Sequence, residues 1–165
     1  MHWLLRLFTR ERDPQPRRVD ELLEIGDRVE LVGRVESLGE LHSPLDHEPA
    51  VVIRYRGRPT ARIDRQTPFA DMGTGIEAHQ ALAFVLRDSS GTALIELDAG
   101  VDVGEIHQRL LGTYGAALEL DVELVRPGDR VRVQGRVRER TDGGSPHRRE
   151  AWAAVVVAES VALAE

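Results

Sequence analysis

The chain contains one stretch twice, as GDRVRVQGRVRE at residues 128–139 and as the near copy GDRVELVGRVE at residues 26–36. In each copy a Gly-Asp turn precedes a run in which every second residue is apolar. That period is typical of a β-strand with one buried face. The repeated stretch therefore predicts two strands of a β-rich fold.

Each copy carries a glycine at the same place in its apolar face, Gly33 in the first and Gly135 in the second. Glycine in the middle of a strand suits a sharp bend or the close approach of another backbone. A small barrel needs such positions where its sheet coils on itself. We therefore predict that both strands belong to a small β-barrel.

The length of 165 residues and the mass of 18.4 kDa suit one well-buried core. A hydrophobic content of 41% with 30% charged residues is ordinary for a globular protein. No apolar run approaches the roughly 20 residues that span a bilayer. We predict an amphipathic N-terminal segment and linker over residues 1–18 and a single β-barrel domain over residues 19–165.

Composition excludes several kinds of chemistry. The chain has no cysteine, which excludes disulfides, thiolate nucleophiles and cysteine-ligated zinc. All 22 positive residues are arginine, so a phosphate-loop lysine and a Schiff-base amine are excluded as well. The net charge of −6 and the aromatic content of 4% disfavour a general nucleic-acid binder, which needs positive charge for phosphates and rings for bases.

The N-terminal stretch MHWLLRLFTRER predicts a short amphipathic helix. Its apolar stripe consists of Trp3, Leu4, Leu7 and Phe8. Two interpretations stay open, because the stripe can lie in a membrane surface with its arginines toward the headgroups or can pack on the protein's own barrel. Residues 13–18, DPQPRR, predict a linker.

The hydrophobic pattern predicts six or seven strands and one helix. Besides a first strand over residues 28–38 and the second copy of the repeat, strands are expected over residues 50–56, 81–86, 92–97, 118–125 and 151–161, with an irregular stretch over residues 57–80. The helix follows the central hairpin, with Asp102 and Glu105 as a capping box, an end near Leu111 and Gly112 as its stop. This order is compatible with an OB-like barrel, and SH3-like and split barrels stay open.

A polar loop brings together two histidines and two carboxylates, His42, Asp46, His47 and Glu48. A metal site needs three or four convergent ligands, and this spacing matches no established site. Turn-forming residues around them favour a surface loop. No serine has the flanking glycines of a nucleophile elbow. We therefore expect no catalytic residue, no metal site and no cofactor, and we expect that the protein is not an enzyme.

The polar face of the second copy is rich in arginine, with Arg130, Arg132, Arg136, Arg138 and Arg140 opposite the valines. Such a stripe suits an anionic partner surface, and Arg54 and Arg56 extend the set of candidates. The alternative is that the arginines pair with carboxylates of the strand before them, Glu119, Asp121 and Glu123. This alternative is favoured, because a hairpin through residues 126–129 would lay the two strands together.

Three stretches in this order resemble the GIDE domain: LHSPLDHEPAVVIRYR at residues 41–56, FVLRDSSGTALIELD at residues 84–98 and VRPGDRVRVQGRV at residues 125–137. The resemblance lies in Ser43-Pro44 and Pro49 before a strand, Phe84 to Asp88 with Gly91 in a hairpin, and Gly128-Asp129 with Gly135 downstream. It covers residues 26–140.

The GIDE domain is known from the membrane-anchored mitochondrial E3 ubiquitin ligase and from bacterial relatives. The resemblance implies a β-rich, partner-binding module, often tethered to a membrane, without catalytic residues of its own. The chain departs from the family in having no transmembrane helix. Ligase activity belongs to a cysteine-dependent RING domain, so the resemblance implies none for a chain without cysteine.

We expect a non-enzymatic, GIDE-like interaction module that binds a protein partner in the cytoplasm, with peripheral membrane contact left open. A second hypothesis is an OB-fold protein that binds single-stranded nucleic acid through arginines, namely Arg54, Arg56, Arg130, Arg132 and Arg136. It predicts strongly salt-dependent binding. The sparse aromatic residues and the negative net charge count against it.

Overall fold

A computed structural model describes residues 16–21, 24–60, 75–141 and 152–165. The contacts divide the chain into two compact units. The first comprises Met1–Leu38, Ala83–Leu97 and Pro127–Glu165, and the second comprises Gly39–Leu82 and Asp98–Arg126. The single domain expected over residues 19–165 stays a prediction. The amphipathic helix predicted from Trp3, Leu4, Leu7 and Phe8 lies outside the described residues.

The described residues are mainly β, with ten strands and one α-helix. In chain order they are β1 (Arg28–Ser37), β2 (Leu41–His42), β3 (Pro49–Ala50), β4 (Val52–Pro59), β5 (Ile76–Ala81), β6 (Phe84–Arg87), β7 (Thr92–Glu96), α1 (Val103–Tyr114), β8 (Leu118–Val125), β9 (Arg130–Arg140) and β10 (Ala154–Leu163).

The first unit is a closed five-stranded barrel with the strand order β1-β6-β7-β10-β9. Four of its five pairs are antiparallel, and β7 with β10 is the parallel pair. Strands β9, β1, β6 and β7 lie side by side as a Greek key, in which a later strand returns to lie beside the first. The predicted barrel is therefore confirmed.

The two copies of the repeat are neighbours in this barrel, because β1 pairs with β9. Leu31 lies opposite Val133, which is the equivalent residue in the second copy. Gly33 lies opposite Val131, and Val29 lies opposite Gly135. The pairing is therefore approximately two-fold symmetric about the Leu31–Val133 pair.

Main-chain hydrogen bonds repeat this symmetry at both ends of the pair. The amide of Gly26 donates to the carbonyl of Val137 at 2.7 Å, and the amide of Gly128 donates to the carbonyl of Val35 at 2.8 Å. The two valine amides donate back to the aspartate carbonyls of the turns at 3.0 and 2.9 Å. Both turn glycines have positive φ, +91° and +88°, which a residue with a side chain adopts only with strain. The strand of each copy is thus hydrogen-bonded to the Gly-Asp turn of the other copy.

The close backbone approach predicted at the repeat glycines is confirmed. A Cβ atom on Gly33 would lie 2.5 Å from the carbonyl oxygen of Arg87 in β6. A Cβ atom on Gly135 would collide with the carbonyl oxygen of Val157 in β10 and lie 2.9 Å from the Cα atom of Ala158. Each glycine therefore lets the backbone of the next strand pass within van der Waals distance.

The second unit contains the three-stranded sheet β5-β4-β8, the hairpin β2-β3 and helix α1. Its core is formed by Ala50, Ile53, Tyr55, Val103, Leu110 and Leu124. Alternate residues of β4 and β8 point into this core because the pleat turns successive side chains to opposite faces. The sheet thereby packs one face on α1 and exposes the other.

Several predicted boundaries are wrong. The count of six or seven strands is too low, because β2 and most of β5 lie in stretches that were expected to be loops. The strand expected over residues 50–56 is divided between β3 and β4. In the stretch 57–80, β4 runs on to Pro59 and β5 begins at Ile76, while residues 61–74 lie outside the described part. The strand expected over residues 81–86 is two strands, since β5 ends at Ala81 and β6 begins at Phe84.

The predicted N-cap of the helix is confirmed, and the predicted stop is wrong. The Asp102 carboxylate accepts a hydrogen bond from the amide of Glu105 at 3.0 Å. The helix continues through Gly112 to Tyr114 and ends at Gly115, whose φ is +55°. A positive φ at a helix end favours glycine, so Gly115 and not Gly112 does the work of the C-cap.

Asp88 organises the turn between β6 and β7. Its carboxylate accepts hydrogen bonds from the amides of Val19 at 2.8 Å, Ser90 at 2.7 Å and Gly91 at 3.0 Å, and from the Ser90 hydroxyl at 2.6 Å. Burial acts to raise the pKa of Asp88, but the hydrogen bonds from Ser90 and the amides outweigh it and lower the pKa. Asp88 thereby fixes the turn and ties residue 19 to the barrel.

We predict that Gly135→Ala lowers the free energy of unfolding by about 1–3 kcal/mol, because the added methyl group meets backbone atoms of β10 that cannot rotate away. The matched control is Gly112→Ala, whose methyl group meets no atom within 4 Å in the last turn of α1. It should raise stability by about 0.5–1 kcal/mol. Chemical denaturation measures both, and an equal effect of the two substitutions would contradict the role of Gly135.

We also predict that Asp88→Asn lowers the free energy of unfolding by about 1–3 kcal/mol at neutral pH, because a carboxylate accepts these bonds more strongly than an amide. The lowered folded-state pKa stabilises the protein above the unfolded-state pKa of about 3.9, and this stabilisation is lost as the pH falls through the folded value. The difference between wild type and variant should therefore shrink in acid. A difference that is constant from pH 7 to pH 3 would rule this out.

Candidate binding site

Three of the five arginines predicted on the polar face of β9 form ion pairs inside the first unit. The partners come from three different strands of the barrel: Glu30 for Arg132 (3.5 Å), Glu159 for Arg136 (3.3 Å) and Glu96 for Arg138 (3.0 Å between Nη2 and Oε1). All three arginines remain about half exposed or more. The predicted stripe is thus largely neutralised by the barrel itself.

Glu30 differs from the other partners because it is only 1% exposed. Its carboxylate accepts a hydrogen bond from the Gln134 amide at 2.8 Å and is ion-paired with Arg132. A buried carboxylate is tolerated when it is both paired and hydrogen-bonded. Arg132 therefore has a structural function and is a poor candidate for binding a partner.

The candidates Arg54 and Arg56 are paired inside the second unit. Strand β4 lies against β8, which sets its arginines opposite alternate acidic residues. The ion pairs on this face are Arg54–Glu123 (3.3 Å), Arg56–Asp121 (3.8 Å), Arg56–Glu77 (3.3 Å) and Arg58–Glu119 (3.3 Å). Each pair is a cross-strand or near cross-strand contact of opposite charges.

The predicted partners of the β9 arginines are therefore wrong. Glu119, Asp121 and Glu123 do face arginines, but these belong to β4. The predicted hairpin of β8 with β9 does not form, because both edges of β9 are taken by β1 and β10. Sequence proximity favoured the wrong strand, and only the pairing register identifies the right one.

Arg130 belongs to a different group, a row of three arginines across β6, β1 and β9. Arg34 lies opposite Arg87 on one side and opposite Arg130 on the other. Arg87 is held by Glu36 through two hydrogen bonds, and its hydrogen bond to Glu36 lowers the pKa of that carboxyl. Like charges directly opposite each other on paired strands are unfavourable.

The other two members of the row contact main-chain oxygens. Arg34 donates to the carbonyl oxygen of Gly128 at 3.1 Å, and Arg130 donates to the main-chain oxygen of Glu165 at 3.4 Å. Within the described ranges, no carboxylate side chain forms an ion pair with either of them. The positive charge at this point of the barrel is therefore less compensated than at Arg132, Arg136 or Arg138.

Both of these arginines line an open cleft of about 730 Å³ in the first unit. The charged residues of its lining are Arg17, Arg18, Arg34, Arg87, Arg130, Glu36 and Asp88. Arg17 is paired with Asp27 at 3.7 Å and Arg18 with Asp20 at 3.3 Å. No aromatic residue is among the described residues that line the cleft. The described lining of the cleft thus has more arginines than carboxylates and no aromatic ring on which a base could stack.

Sequence reasoning missed Arg34 and Arg87. Arg34 does stand in the polar face of the first copy, at the position of Arg136 in the second. Its significance depends on β6 and β9 as neighbours, and neither neighbour can be read from a local pattern. The repeat itself was the available signal, because it marks Arg34 and Arg136 as equivalent.

Asp46, His47 and Glu48 lie in the loop between β2 and β3, and His42 is the last residue of β2. The loop is organised by Ser43, whose amide donates to the carbonyl of Glu48 at 2.9 Å. A hydrogen bond with Ser43 lowers the pKa of Asp46. Over the ranges that the structure covers, no three histidines or carboxylates are grouped as metal ligands. The contacts of this loop are those of a turn.

One buried pair of titratable residues lies in the core of the second unit. The Tyr55 hydroxyl and Nδ1 of His107 are 2.9 Å apart, and their rings meet edge to face. Burial raises the pKa of Tyr55. Tyr55 is 1% exposed and His107 is 4% exposed. We therefore assign both residues to the core.

We predict that Arg132→Leu lowers the free energy of unfolding by about 1–3 kcal/mol, because it leaves the buried Glu30 carboxylate with Gln134 alone. The matched control is Arg56→Leu, which leaves only exposed partners and should cost less than about 1 kcal/mol. Thermal and chemical unfolding measure both. An equal loss of unfolding free energy in the two variants would show that Arg132 does not stabilise the buried Glu30 carboxylate.

Comparison of the chain with models of known protein families and with curated proteins found no match. None of the helices in the described part of the chain is long and apolar enough to cross a membrane.

Proposed function

We propose that this protein is a non-enzymatic interaction module that binds an acidic segment of a protein partner in the arginine-lined cleft of its barrel. The observation that carries this proposal is the position of Arg34 and Arg130 in the lining of the cleft, where no described carboxylate side chain forms an ion pair with either. The other arginines of the lining are paired, and the whole chain has a net charge of −6. A local excess of one sign attracts an oppositely charged partner and orients it during encounter.

The cleft favours an acidic protein segment over nucleic acid. Single-stranded nucleic acid is bound by stacking its bases on aromatic side chains in a positive groove. The described lining of the cleft contributes arginines and no aromatic ring. The negative charge of the rest of the chain repels a polyanion that extends beyond the cleft. A short acidic segment meets neither difficulty.

The proposal includes an OB-like fold for the barrel, and the strand order supports this part of it. OB folds are five-stranded Greek-key barrels that bind extended ligands on their strands and loops. The closed barrel here has five strands in a Greek-key order. The GIDE-like interpretation is part of this proposal and also describes a β-rich module that acts through a partner. Because OB folds also bind oligonucleotides, single-stranded nucleic acid is the second candidate ligand.

The test compares three labelled probes by fluorescence anisotropy at low ionic strength: an oligoglutamate peptide, an oligoglutamine peptide of equal length and an oligothymidylate of equal charge. We expect binding of oligoglutamate only. Arg34→Gln combined with Arg130→Gln should weaken it roughly tenfold, because two charge-assisted hydrogen-bond donors are lost.

The matched control is Arg54→Gln combined with Arg56→Gln, which removes the same charge from the second unit. It should change the affinity by less than about twofold, because these arginines lie outside the cleft. Tighter binding of oligothymidylate would favour the nucleic-acid candidate. Absence of oligoglutamate binding, or an equal loss in both double variants, would reject the acidic-segment proposal.

A further inference from the structure

The two-fold pairing of the repeats creates two equivalent pairs of arginines in the barrel. Arg28 lies opposite Arg136 at one end of the β1–β9 pair, and Arg34 lies opposite Arg130 at the other end. Arg28 in the first copy corresponds to Arg130 in the second, and Arg34 corresponds to Arg136. At each end of the β1–β9 pair, the first arginine of one copy therefore lies opposite the second arginine of the other copy.

The first pair holds a carboxylate. Nη2 of Arg28 lies 3.0 Å from one oxygen of Glu159, and Nε of Arg136 lies 3.3 Å from the other. Glu159 belongs to β10, at a register irregularity between Ala158 and Ser160. The carboxylate thus bridges two guanidinium groups that would otherwise repel each other. This arrangement is a carboxylate clamp made by the repeat itself.

The second pair has the same scaffold with a different neighbour. Arg34 donates to the carbonyl of Gly128 at 3.1 Å, as Arg136 donates to the carbonyl of Gly26 at 3.4 Å. The strand beside this end is β6, which places Arg87 opposite Arg34. At the first end β10 places Val157 opposite Arg136 and supplies Glu159 from its register irregularity. Arg87 is engaged with Glu36. No described carboxylate bridges Arg34 and Arg130 as Glu159 bridges the first pair.

We propose that Arg34 and Arg130 form a second carboxylate clamp, which takes a glutamate or aspartate side chain from the acidic segment of the partner. This inference rests on the proposed function and names the contact by which the segment is recognised. Residues directly opposite on paired strands have Cβ atoms about 4.5–5.5 Å apart, so two guanidinium groups can share one carboxylate. Glu159 shows the chemistry within the same molecule.

The cleft gives this clamp access to an extended segment. Arg34 and Arg130 line it together with Gly128, and Arg17 and Arg18 lie on the lining as well. A carboxylate in the clamp would relieve the repulsion along the Arg87–Arg34–Arg130 row. Neighbouring acidic residues of the segment would then compete with Asp27 and Asp20 for Arg17 and Arg18.

The first experiment replaces both clamp arginines by lysine, which keeps their charge but removes the planar fork of donors. We expect Arg34→Lys combined with Arg130→Lys to bind oligoglutamate about fivefold more weakly than wild type. Affinity equal to wild type would overturn the clamp while leaving electrostatic attraction by the cleft intact. Loss of binding in the glutamine variant alone would then still support the proposed function.

The second experiment uses the internal clamp as its control. Glu159→Gln removes the carboxylate between Arg28 and Arg136, and it should create a second binding site for a short glutamate peptide. The arginine Nε–Hε resonances report the sites by NMR. In wild type we expect shifts at Arg34 and Arg130 on titration, and in the variant we expect shifts at Arg28 and Arg136 as well.

Uniform shifts of all exposed arginines, or unchanged resonances at Arg34 and Arg130, would overturn the clamp. A phosphoserine peptide of equal charge that binds more tightly than oligoglutamate would overturn the assignment of a carboxylate. Thermal unfolding of each variant confirms that it is folded. If Glu159→Gln does not fold, the lysine variant and the wild-type titration decide the question on their own.

Discussion

The barrel depends on one long-range contact, the pairing of β1 with β9. This pair closes the sheet and joins the two copies of the repeat, and each copy supplies the hydrogen bonds that fasten the Gly-Asp turn of the other. The register that sets Gly33 opposite Val131 and Gly135 opposite Val29 also sets arginine opposite arginine at both ends. The positive charge of the cleft is therefore a consequence of how the barrel closes.

The neighbours of the pair then make its two ends different. At one end β10 contributes Glu159, which compensates the repulsion of the arginines beside it. At the other end β6 contributes Arg87 and increases that repulsion. A symmetric repeat in an asymmetric barrel thus yields one internal ion cluster at Glu159 and one row of three arginines at the other end. Arg132, which is paired with the buried Glu30, differs in this respect from Arg34 and Arg130, which donate to main-chain oxygens.

Local sequence patterns predicted the features that depend on neighbouring residues. The alternation in the repeat, the inward glycines and the Asp102 cap each follow from a few neighbouring residues, and all are confirmed. Strand partners depend on residues far apart in the chain, so Glu119, Asp121 and Glu123 were matched with the wrong arginines. Strand β5, with the sequence IEAHQA, has too little alternation to be recognised. Arg34 was missed because its neighbours are also distant in the chain, and only the register shows that arginines flank it on both sides.

The buried Glu30 also bears on how the chain avoids misassembly. During synthesis β1 is complete long before β9, and the first copies of two nascent chains could pair with each other almost as the two copies pair in the barrel. In such a pair Glu30 would lie opposite Val32, whereas in the barrel it lies opposite Gln134 and is ion-paired with Arg132. An unpaired buried carboxylate is costly. Wherever that position is buried, a glutamate would therefore disfavour the pairing of two first copies relative to the pairing within the barrel.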